Sequence, residues 1–83
     1  MPTVLLVNGW RFHFFTNEEN EPIHIHCEKG EKKCKYWLDV DTMEIREEFS
    51  RIMSSRDSRE VKEILLQNFV EIVQEWNKFF DKK

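Results

Sequence analysis

The chain has 83 residues, 40% of them hydrophobic and 13% aromatic, which is room for one domain spanning 1–83 that buries only about 60 to 65% of the surface of its unfolded form. Charged residues make up 35% yet sum to a net charge of -3, so no global field draws the protein onto nucleic acid or an anionic membrane, and such contacts need a local patch. No apolar run approaches the ~20 residues of a membrane span, and Met1-Pro2-Thr3 lacks the basic start of a signal peptide; the expectation is a cytoplasmic protein without membrane contact, whose small core favours a homodimer.

Thr3-Val4-Leu5-Leu6-Val7 is closed by Asn8-Gly9 and followed at once by Trp10-Arg11-Phe12-His13-Phe14-Phe15. This is the two-residue hairpin signal, and it predicts strands one and two. Thr16 to Pro22 is a polar connection in which Pro22 fixes its own φ and holds Glu21 extended. Ile23-His24-Ile25-His26-Cys27-Glu28 predicts strand three, Lys29 to Lys33 a second hairpin loop, and Cys34-Lys35-Tyr36-Trp37-Leu38-Asp39-Val40 strand four. In residues 41–56, Met43 and Ile45 alternate like a strand, whereas Ile45, Phe49, Ile52 and Met53 suit a helical stripe. The expectation there is a short fifth strand near Met43 to Arg46, then a helical turn. Asp57-Ser58-Arg59-Glu60 then opens a long helix, with Asp57 as cap and Glu60 closing a capping box. Its apolar positions Val61, Ile64, Leu65, Phe69, Ile72, Val73, Trp76, Phe79 and Phe80 recur at three and four. The predicted fold class is α+β: a small antiparallel sheet of four or five strands packed on one face by a long C-terminal helix.

Side chains alternate across a strand, so the core assignment of each strand fixes what its other face carries. Placing Trp10, Phe12 and Phe14, then Ile23, Ile25 and Cys27, then Cys34, Tyr36, Leu38 and Val40 in the core leaves Arg11, His13, Phe15, His24, His26, Glu28, Lys35, Trp37 and Asp39 on the opposite face. All three histidines of the chain fall together there. An antiparallel sheet commonly wets one face, but imidazole titrates near neutrality and ligates metals, and an exposed indole often marks a contact. Cys27 and Cys34 lack the C-x-x-C spacing of a zinc or thioredoxin-like site and are expected to be buried thiols.

Three chemistries suit this face. In phosphodiester cleavage one imidazole takes a proton while Arg11 or Lys35 stabilises phosphate charge; the expected catalytic set is Arg11, Glu21, His24 and His26, with no metal or other cofactor, and His13, Lys35 and Trp37 are expected to bind. The His-x-His pair with Glu21 or His13 can instead ligate a metal, although Arg11 and Lys35 oppose a cation. A non-catalytic surface, with Lys29, Lys32, Lys33 and Lys35 around the hairpin and Trp37 to stack, can meet RNA, DNA or an acidic protein segment.

The residues Met1-Pro2-Thr3, Arg11 to Phe15, Asn20-Glu21-Pro22-Ile23-His24-Ile25-His26, Lys29-Gly30, Trp37-Leu38 and Trp76 resemble a family of short bacterial proteins classed as a domain of unknown function. Its most specific element is close to Asn-Glu-Pro-x-His-x-His. The resemblance implies one component of a toxin-antitoxin-like two-gene module, with RNA or a small cognate protein as partner, and it brings no catalytic assignment. Residues 49–53 are more hydrophobic than the family's pattern.

Overall fold

The hairpin and alternation signals resolve, in a computed structural model describing residues 3–15 and 21–80, into five strands: β1 (Thr3–Val7), β2 (Trp10–His13), β3 (His24–Lys29), β4 (Lys32–Asp39) and β5 (Glu44–Arg51). They form one antiparallel sheet in chain order, followed by helices α1 (Ser55–Gln67) and α2 (Phe69–Phe80). The protein is thus α+β, as its patterning predicts. The polar connection at 16–20 lies outside the described residues. Asn8 (φ 53) and Gly9 (φ 84) both adopt the left-handed backbone that a tight I′ hairpin turn requires. No helix among the described residues is long and apolar enough to cross a membrane.

One sheet face supplies Trp10, Phe12, Phe14, Ile25, Cys27, Cys34, Tyr36 and Leu38 to the core, and the helices supply Val61, Ile64, Leu65, Phe69, Ile72 and Trp76. Each large side chain buried this way is worth roughly 1.5–3 kcal/mol, offset by the entropy of ordering the chain. Cys27 and Cys34 face each other across β3 and β4 as buried free thiols. Burial pushes the Cys27 thiol well above its ordinary range, which makes it a packing group rather than a nucleophile.

Four expectations are corrected. Val40 leaves the strand for the β4–β5 turn and is exposed rather than part of the core. The helical turn after Arg46 is absent, and the fifth strand runs on to Arg51. A bulge explains the mixed period: Lys35 pairs with Phe49 but Tyr36 with Glu47, so Glu48 is extra and the side-chain alternation slips by one. Ile45 therefore faces the core side opposite Leu38, while Phe49 joins Lys35 on the other face. The helix starts earlier than Asp57, with Ser54 as its cap. The Ser54 hydroxyl accepts from the Asp57 amide at 3.1 Å and the Asp57 carboxylate accepts from the Ser54 amide at 3.1 Å, a reciprocal capping box. Glu60 instead accepts from the Trp10 indole at 3.1 Å. Finally, the long helix is broken at Asn68, whose side-chain amide donates to the Ile64 carbonyl at 2.8 Å; such local bonding by Asn competes with helix continuation.

Candidate functional site on the open face of the sheet

The strand register arranges the non-core face in three cross-strand rows. Arg11, Glu28, Lys33 and Arg51 form the row nearest the two tight hairpins. His13, His26, Lys35 and Phe49 form the middle row, and His24, Trp37 and Arg46 the third. Rows are about 6.7 Å apart along a strand, and facing side chains within a row are about 5 Å apart. Alternation therefore places these residues on one face as expected.

It does not foresee how unequally they are exposed. His24 has 0% of its surface exposed and His13 2%, so two imidazoles expected on a wet face are packed away. His24 sits at the sheet end, where α2 reaches past the core: its ring meets Trp37 at 5.2 Å, Trp76 at 5.1 Å and His26 at 5.3 Å between centroids. Its Nδ1 lies 2.9 Å from the Pro22 carbonyl. A carbonyl only accepts, so Nδ1 carries the proton and the tautomer is set. This gives Pro22 a physical task, because it holds the chain so that its own carbonyl reaches the ring two residues on. Glu21 lies 3.8 Å from the same nitrogen and 3.3 Å from the Lys35 ammonium.

His13 stacks on His26 with centroids 5.6 Å apart and planes 19° from parallel. Its Nε2 is 3.8 Å from Glu28, while Nδ1 is buried with no hydrogen-bond partner among the described residues. Burial holds the His13 pKa below its ordinary 6.5; Arg11 and His26 lower it further, and Glu28 opposes them. Burial thereby favours the uncharged ring. Arg11, expected in the catalytic set, is engaged with Glu28 at 2.9 Å, one row away from His26 and two from His24.

His26 is the half-buried imidazole of the three, held between the stacked His13 ring and the edge-on Phe15 ring at 4.4 Å. Lys35 faces it across β3 and β4, with its ammonium 4.5 Å from the centre of the Trp37 ring. The Trp37 indole donates to Glu48 at 2.6 Å. The open core of the face is therefore His26, Lys35 and Trp37, with Glu21 at its rim. Trp76 and Phe49 were missed as members of the site. The first is placed there by tertiary packing alone, and the last by the bulge. Among the described residues no three His, Cys, Asp or Glu side chains gather as a metal site.

Fold and site together define a small α+β protein with an open, histidine-bearing sheet face. The chain belongs to the family described as Domain of unknown function (DUF4160), whose model matches residues 9–77 and so spans every site residue from Arg11 to Trp76. No curated protein and no solved structure matches it.

Proposed function

We propose that the open sheet face binds RNA and cleaves it by general acid–base chemistry centred on His26. The observation that carries this reading is the pairing of the half-buried His26 with Lys35 across β3 and β4, inside a shell of aromatic rings that fixes the imidazole. A proton-transferring imidazole beside a fixed cation is the minimum for phosphodiester cleavage. His26 takes the proton of a ribose 2′-hydroxyl as its oxygen attacks phosphorus and the bond to the 5′ oxygen breaks. Lys35 offsets the phosphate charge and its ammonium supplies the proton to the leaving 5′ oxygen, with Glu21 orienting it. His24 and His13 act through His26 as positioning residues, since neither is exposed to substrate. In this reading the protein is the nuclease half of a toxin-antitoxin-like module in the cytoplasm, held in check by a small cognate protein; the family resemblance supports that setting.

Incubation of single-stranded RNA with the purified chain tests the chemistry. Cleavage should fall by about 10²- to 10⁴-fold in His26→Ala with an unchanged circular dichroism spectrum, and it should persist in chelator. Intact RNA with wild-type protein would remove the catalytic part. A binding-only surface is the second reading, favoured by the packing of His24 and His13 as aromatic core groups; it predicts RNA or protein retention without turnover.

A further inference from the structure

Lys33 on β4 and Arg51 on β5 are direct cross-strand partners in the row next to His26. Both are exposed, and among the described residues neither makes an ion pair. Like charges facing each other across strands are destabilising, so the sheet carries a local cost at this point that an anion placed between the two side chains would relieve. Arg11, paired with Glu28, closes the same row, and Lys35, paired with Glu21, lies in the adjacent row, so Lys33 and Arg51 are the cations of this corner left without an ion pair among the described residues. Phe49, facing Lys35 and two residues before Arg51, is 45% exposed, an uncovered aromatic ring on the strand face that also carries Arg46 and Arg51.

Cations for phosphates interleaved with an aromatic ring for a base is how sheets hold single-stranded nucleic acid. We propose that Lys33, Arg51 and Phe49 form a subsite for single-stranded RNA in which the cationic pair grips the phosphate next to the one at His26 and Lys35, while Phe49 stacks on the intervening base. The inference rests on the reading of the face as RNA-binding and assigns it a strand class and a direction: the chain crosses from β3 towards β5. A regular duplex cannot present an unstacked base to a ring lying flush in a sheet, so double-stranded RNA is excluded from the subsite.

The test uses a short fluorescent 2′-O-methyl oligoribonucleotide, which cannot be cut through its 2′ position, and a self-paired hairpin of the same composition. Anisotropy titrations over a range of salt should show wild type preferring the single strand. The double variant Lys33→Gln/Arg51→Gln should reduce the slope of log affinity against log salt by about 0.7, the loss of one neutralised single-strand phosphate. Phe49→Ala should weaken binding roughly tenfold with the slope unchanged. On a cleavable single strand both variants should raise KM and leave kcat. Unaltered affinity and slope in the folded double variant would overturn the subsite, as would equal binding of the hairpin, or of poly-glutamate, which would reassign the patch to an acidic protein. If the binding effects appear but wild type cuts no RNA, the histidine chemistry fails while the subsite stands; if cleavage is normal and KM is unmoved in both variants, the converse holds.

Discussion

His24 and His26 stand two residues apart on one strand, carry the same ring and point to the same side of the sheet, yet they occupy different environments. His24 lies under Trp76 where α2 wraps the sheet end, with its Nδ1 proton committed to the Pro22 carbonyl. His26 lies one row further in, half-buried beside Lys35. The comparison teaches that a repeated residue on a strand can divide its labour. One imidazole is closed in against Trp37 and Trp76 with its proton on the Pro22 carbonyl, and the other keeps part of its surface open. The boundary between them is drawn where the Trp37 and Trp76 indoles close over His24.

The strongest way to break this division is to remove the Trp76 indole. Trp76→Ala should cost about 3–5 kcal/mol, as large aromatic truncations in cores do, read as a lower denaturant midpoint at constant slope, and it should expose His24. Next in size, His24→Ala should destabilise by about 2–4 kcal/mol, combining the cavity with a Pro22 carbonyl left without its donor. His26→Ala should cost less stability than His24→Ala because its ring is less completely covered, while removing activity. If the two histidine substitutions destabilise equally, the division is wrong.

A smaller effect sharpens the contrast through pH. The folded-state pKa of His13 is below 6.5, so between that folded value and 6.5 the unfolded chain binds a proton the folded one does not. Stability is therefore fully present above 6.5 and declines as pH falls through this window. Arg11, Glu28 and His26 are the charged or titrating groups facing the ring. Urea denaturation at pH 7.5 and pH 5 should show the loss, and His13→Phe should flatten it.

Much of this was legible beforehand because alternation is a strict geometric rule. The hairpin at Asn8-Gly9 follows from its turn signal, and the core places of Phe12, Ile25, Cys27 and Tyr36 and the company of His13, His26 and Lys35 on one face follow from alternation. Two kinds of information were not. A bulge at Glu48 inserts one residue and reverses the faces, so Ile45, Phe49, Ile52 and Met53 imitate a helical stripe and the patch at Phe49 stays hidden. Exposure was the other: alternation says which face a residue is on, but nothing in Ile23-His24-Ile25 says that Trp76 will close over its middle member.

The most direct measurement of the central claim is the rate at which diethyl pyrocarbonate modifies each histidine of the native protein, followed residue by residue by mass spectrometry, with and without a short single-stranded RNA. His26 should react fastest and be protected by the RNA, while His24 and His13 stay slow in both conditions. Comparable reaction of His24 and His26, or no protection of His26 by RNA, would contradict the account.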